Sequence, residues 1–344
     1  MALFLELDTL LADLPPLANL LDELDQVFGT TVQLSTEQAL DLDCGVRRAS
    51  WCPWPDERVE MFITGATTRG ADIILEKASG ALRIRVCLKP LSTWTDWQLG
   101  VEAACALSEM THCPAIQVTG EMPGLYEAEE LRQRLLDEDD DYWRECEDGA
   151  QGIRSSIINH GEIVRIGGPS GIAAIGPRTW DRRGLSGQDP EQLSELLLEA
   201  IRHSIEARGF EGFHLANPMI LDGRSGQSVV AQLIAPDRAT LLRDPEFILL
   251  SADLESGAGS PLYLLPFEDL ERAFPGRLSW LDDRNCALAA IPATSWTRHI
   301  EEIRSMLAEV DSFLAQHQPT EAAPEASSAN PSATVRRWLP RKFW

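Results

Sequence analysis

Apolar residues recur along this chain with two periods, and the changes of period mark out its elements. Leu17, Leu20, Leu21, Leu24 and Val27 fall at spacings of three and four, one face of a helix over 17–28. The leucine-rich stretch 3–13, separated from it by Pro15-Pro16, reads as a second short helix. Apolar runs at 58–64, 71–76 and 82–89 predict three strands, the last two joined as a hairpin by Lys77-Ala78-Ser79-Gly80. A helix follows over 96–110 with Thr95 as its N-cap, then a short strand at 115–118 behind Pro114 and a helix at 126–136.

A second series begins near Gly152. Strands at 163–166 and 172–175 flank Gly167-Gly168-Pro169-Ser170-Gly171. Asp189 and Pro190 form a helix start, the aspartate as cap and the proline in first place, and this helix ends before Gly209. Strands are expected at 228–235, 246–252, 262–265 and 286–291, with a short helix at 267–274. The longest helix is expected over 295–317, where Ile300, Ile303, Met306, Leu307, Val310 and Leu314 make an apolar stripe. The fold class is therefore α+β: two mixed α/β units, each a small, largely antiparallel sheet with packed helices, covering 1–150 and 151–317. Both units show a hairpin, a tryptophan-bearing turn and a helix, a pattern too common to argue duplication. Residues 318–334, mainly Pro, Ala, Ser and Glu, read as a disordered linker before a C-terminal peptide at 335–344.

Charge changes this outline most. The 344 residues include 54 acids and 30 bases, a net of −24, and the only lysines are Lys77, Lys89 and Lys342. Such a body repels nucleic-acid phosphates and an anionic membrane surface. Acids interrupt the first apolar residues, and no base occurs before Arg47, so no signal peptide is expected. No window is apolar enough for a membrane span. Seven scattered cysteines without a CxxC pair point to a reducing cytosol, and Cys87 and Cys105 lie in apolar runs as core residues.

Motifs for catalysis are weak. The glycine-rich segment 167–171 matches neither phosphate-binding spacing and leads into a strand, so it reads as a turn. Ser170 lacks the G-x-S-x-G frame, and Cys113 has no identifiable histidine partner. The six histidines show no metal-ligand spacing, and no EF-hand pattern accompanies the acids. No catalytic residue, cofactor or metal is expected. Trp51 and Trp54, in a proline-rich loop, read as an apolar plug over the sheet edge, with an exposed binding surface as the alternative.

Two positive features remain. Between Glu121 and Asp148 twelve acids face only Arg132, Arg134 and Arg144, a local net of −9. The candidate partner-binding residues there are Asp137, Glu138, Asp139, Asp140, Asp141, Tyr142 and Trp143, aromatics beside charge being common at interfaces. The C-terminal decapeptide carries four bases and no acidic side chain, and Trp338, Leu339, Phe343 and Trp344 are its apolar contacts. It is expected to dock on another protein or on the acidic body of its own chain. The expected function is non-enzymatic binding of a basic protein partner, in the manner of a bacterial immunity (antitoxin-like) protein or a secretion adaptor or chaperone. The alternative is a hydrolase or transferase whose site draws on scattered carboxylates with His160 or His214.

Overall fold

The computed structural model describes residues 3–35, 54, 57–119, 123–137, 139–207, 209–210, 212–222, 228–251, 261–316 and 334–337. The fold is α+β and divides into two units, Met1–Glu206 and Ala207–Trp344.

The first unit runs β1 (Leu3–Leu10), α1 (Leu17–Phe28), β2 (Gln33–Ser35), β3 (Arg58–Phe62), β4 (Ala71–Ala78), β5 (Ala81–Leu88), α2 (Trp94–Thr111), β6 (Ile116–Thr119), β7 (Gly124–Tyr126), α3 (Ala128–Leu136), α4 (Asp140–His160), β8 (Val164–Gly168), β9 (Gly171–Ile175), α5 (Pro177–Arg182) and α6 (Pro190–Glu206). Its main sheet has the order β2-β3-β4-β5-β1-β6-β7 and is antiparallel throughout.

Residues 3–10 are the inner strand β1, not a helix. Leu3, Leu5 and Leu7 point into the core while Glu6 and Asp8 point out, a strict period of two that outweighs leucine's preference for helices. The buried face of the sheet holds Val59, Met61, Ile73, Leu75, Ile84, Val86, Ile116 and Val118 as well, and α2 lies across it. α2 is buried on most of its circumference, as a helix inside a core must be. Gly100 permits its close approach, because a Cβ there would stand 2.2 Å from Leu88 Cδ2. The cap is Thr93 rather than Thr95: its hydroxyl accepts from Asp96 N at 3.2 Å, and the Asp96 carboxylate accepts from Thr93 N at 2.8 Å. The opposite face carries a lattice of ion pairs, Arg83 to Asp8 at 2.8 Å, Arg85 to Glu6 at 2.9 Å and Arg85 to Glu76 at 3.0 Å.

The acidic run 137–141 leads directly into α4, whose first turn holds Asp140 and Asp141, where carboxylates meet the positive end of the helix dipole. Residue 150, the expected end of the first unit, falls inside α4, and Ala150, Ile153 and Ile157 join the first core. Residues 167–171 form the hairpin turn expected of them between β8 and β9, and Asp189 Oδ1 caps α6 by accepting from Gln192 N at 2.9 Å. Trp54 packs against the same core, its indole N–H donating to Pro15 O at 2.9 Å. Trp51 lies outside the described residues.

The second unit runs β10 (His214–Leu215), β11 (Pro218–Asp222), β12 (Ser228–Leu233), β13 (Thr240–Arg243), β14 (Phe247–Ser251), β15 (Leu262–Pro266), α7 (Leu270–Ala273), β16 (Leu278–Trp280), β17 (Asn285–Leu288), α8 (Ala293–Glu302), β18 (Ala308–Glu309), α9 (Val310–Gln316) and β19 (Thr334–Arg337). One sheet has the order β10-β13-β17-β16 and a second the order β18-β15-β14-β12-β11-β19; only β10–β13 and β12–β14 are parallel. The long helix expected over 295–317 is broken. Ile300 and Ile303 fill the core around Phe274 and Trp296, whereas Val310 and Leu314 fill another beside Leu249 and Leu264. Between them the chain extends at Leu307 and adds β18 to the sheet edge, so one stripe serves two cores. The linker expected at 318–334 and the peptide at 335–344 lie outside the described residues except for β19, whose backbone pairs antiparallel with β11.

Candidate functional site

The acidic segment occupies β7, α3 and the first turns of α4. Leu131 and Leu135 turn α3 toward the core, which leaves Glu127, Glu129 and Glu130 exposed. Arg132 is drawn inward to Glu102 at 2.9 Å and Glu109 at 2.7 Å. Partial burial pushes its pKa down, but these two carboxylates raise it above the usual arginine range. Arg134 stacks over the Tyr126 ring at 4.9 Å and pairs with Asp141 at 3.7 Å, and Arg144 pairs with Asp141 at 3.1 Å. Among the described residues Glu127, Glu130, Asp137, Asp139, Asp140, Glu147 and Asp148 form no ion pair.

The expected binding residues separate into three groups. Asp137, Asp139 and Asp140 are exposed; Asp139 precedes the first turn of α4 and accepts from the Trp143 indole at 3.1 Å. Asp141 is half-buried in its arginine pairs, and Trp143 is half-buried against the core. Tyr142 points inward: it is 4% exposed, its hydroxyl donates to Ser92 O at 2.9 Å, and its ring meets those of Trp94, Trp97 and Trp143 edge to face. Burial raises its phenol well above the ordinary tyrosine range. Helical spacing carries the signal, because Tyr142, Cys146, Ala150, Ile153 and Ile157 recur every three or four residues along the buried stripe of α4. Glu138, Trp338, Leu339, Phe343 and Trp344 lie outside the described residues.

Two polar clusters that sequence reasoning passed over are structural. Register aligns Glu60 with Asp72 and Asp72 with Cys87 on neighbouring strands. The Lys89 ammonium fits over them, donating to Glu60 Oε1 at 2.6 Å and Arg69 O at 2.7 Å and lying 3.1 Å from Asp72 Oδ1. Two of its protons are used in hydrogen bonds, while Asp72 Oδ1 faces it as an ion pair without a hydrogen bond, so the ammonium serves to neutralise the two buried carboxylates. The Asp96 carboxylate is filled, accepting from the backbone N–H groups of Thr68, Arg69, Gly70 and Thr93.

An open groove of about 680 Å³ lies at the far end of the first sheet, bordered by Asp8, Leu10, Lys77, Arg83, His112 and Cys113. Cys113 Sγ contacts the carbonyl oxygens of Asp8 at 3.5 Å and Ala115 at 3.3 Å, so its S–H is directed at backbone rather than at an imidazole. Burial pushes the Cys105 thiol up to about 12 and that of Cys146 up to about 11, which suits inert core residues. His160 ends α4, and His214 lies in β10. Among the described residues no three His, Cys, Asp or Glu side chains converge on a metal position, and no helix is long and apolar enough to cross a membrane. Comparison with protein families, curated proteins and solved structures finds no match for this chain.

Proposed function

We propose that this chain is a non-enzymatic binding protein that receives a basic protein partner on the face formed by α3 and the start of α4. The observation that supports this is the division of charge. The segment's arginines are engaged by Glu102, Glu109, Tyr126 and Asp141, while Glu127, Glu130, Asp137, Asp140 and Asp148 face solvent without a counter-charge. Several uncompensated carboxylates on one surface repel one another, and a cationic surface relieves that repulsion while being steered in from a distance. An immunity protein covering a basic toxin site and an adaptor holding a basic cargo both use this chemistry.

The test neutralises Glu127, Glu130, Asp137, Asp140 and Asp148 together as Gln or Asn. The association rate with the protein captured from the native source is then measured at low and high salt. The wild-type rate is expected to fall steeply with salt, and the variant to associate about tenfold more slowly at low salt with a flattened salt dependence. Equal rates and equal salt dependence for the two chains would reduce the acids to a solvated surface.

A further inference from the structure

The seven-stranded sheet of the first unit ends at β7, which pairs with β6 on one side only. Among the described residues no other backbone or side-chain group bonds to the main chain of Gly124, Leu125 or Tyr126. Leu125 is 71% exposed and stands in register with Gln117, also exposed, on the sheet face opposite α2. Of the devices that guard an edge strand, β7 has a length of only three residues and Pro123 just before it, but no lysine and no inward charge within the strand. The residue after it, Glu127, is the N-cap of α3, yet its side chain caps nothing and is exposed beside Glu129 and Glu130. These carboxylates meet the positive end of the α3 dipole, and none of them is used in a side-chain cap.

We propose that a basic, extended segment of the partner adds to β7 as a further strand. Its main chain bonds to the free edge, an apolar side chain covers Leu125, and its cations face Glu127, Glu129 and Glu130. This rests on the proposed function and specifies how the partner is held. Charge selects a basic chain over a second copy of this one, because a second copy brings three more exposed glutamates to the same edge.

The probe is a capped peptide alternating arginine and valine. Two twins of equal charge are N-methylated at its odd or its even amides, which removes main-chain donors. Affinity for the full chain is measured by calorimetry at low salt, and exchange at the 124–126 amides by NMR. The unmodified peptide is expected to bind and to slow exchange at 124–126. At least one twin is expected to bind about tenfold more weakly, the loss two backbone hydrogen bonds would give. Leu125→Arg, an exposed change that leaves the core intact, is expected to weaken the unmodified peptide by a similar factor. Equal binding of all three peptides without protection at 124–126 refutes strand addition and leaves the acidic face as a purely electrostatic surface. No binding by any of them overturns both readings, and self-association of the chain through protected 124–126 amides assigns the edge to a second copy instead.

Discussion

Replacing Asp96 by alanine tests how the first unit is held together. This carboxylate is 2% exposed and ties the loop between β3 and β4 to the start of α2. It accepts from Thr68 N and Arg69 N at 3.1 Å, Gly70 N at 2.7 Å, and Thr93 N and Oγ1 at 2.8 Å. Gly70 has φ +64°, and a Cβ there would meet Met61 O at 2.4 Å, so the loop has little freedom to re-aim its amides. Alanine strands four N–H donors, those of Thr68 and Gly70 buried and those of Arg69 and Thr93 partly buried, each costing about 1–3 kcal/mol when wholly unpaired. Some water entry and loss of additivity bring the expected total to about 4 kcal/mol. Thr93→Ala removes only the hydroxyl half of the capping box and is expected to cost about 1 kcal/mol. Urea unfolding followed by amide exchange in residues 3–206 gives both values, with the amides of Thr68–Gly70 losing protection first in the Asp96 variant. An Asp96→Ala cost no larger than that of Thr93→Ala would show that the carboxylate is a helix cap alone and that the loop is anchored elsewhere.

Tyr142→Ala should destabilise the first unit by about 3–4 kcal/mol, and Tyr142→Phe by about 1 kcal/mol, in the same unfolding assay; a neutral alanine variant would place the ring outside the core. His299 Nε2 is buried with no hydrogen-bond partner among the described residues, and its pKa is held down by burial, with Glu302 opposing and Arg277 reinforcing the shift. A depressed folded value means its stability contribution is complete above about pH 6.5 and is lost as pH falls through the lower folded pKa. His299→Phe should therefore flatten the second unit's urea midpoint between about pH 7 and about pH 5, and an unchanged slope would assign that dependence to other groups. Deleting 334–344 should cost the second unit about 1–2 kcal/mol and speed amide exchange in Met219–Leu221, since β19 pairs with that strand; unaltered exchange would detach β19 from the sheet.

Elements governed by local rules were legible in the chain itself. The 71–88 hairpin, the 167–171 turn and the Asp189–Pro190 helix start each rest on a few adjacent residues, and each stands where its residues put it. Elements whose identity depends on distant partners were not. β1 is a strand because β5 and β6 flank it, and the stripe from Ile300 to Leu314 is divided because two cores claim it. At the candidate site the excess of acid was plain from composition, but its arrangement was not. Which carboxylates lack a counter-charge depends on Arg132 reaching Glu102 and Glu109 across to α2, and the direction of Tyr142 depends on the phase of a helix that the acidic run conceals.

The place of β1 bears on how the chain is made. Leu5 lies between Val86 and Val118, partners that leave the ribosome long after it does. Until then Leu3, Leu5 and Leu7 form an apolar ribbon with neither edge satisfied, and closing the sheet requires two long loops to be drawn together. The nascent chain thus passes through an interval in which β1 is an adhesive segment without its partners, and a chaperone that holds extended apolar segments would act there. Synonymous changes that slow translation between residues 89 and 119 would lengthen that interval and lower the soluble yield without altering one side chain of the finished protein.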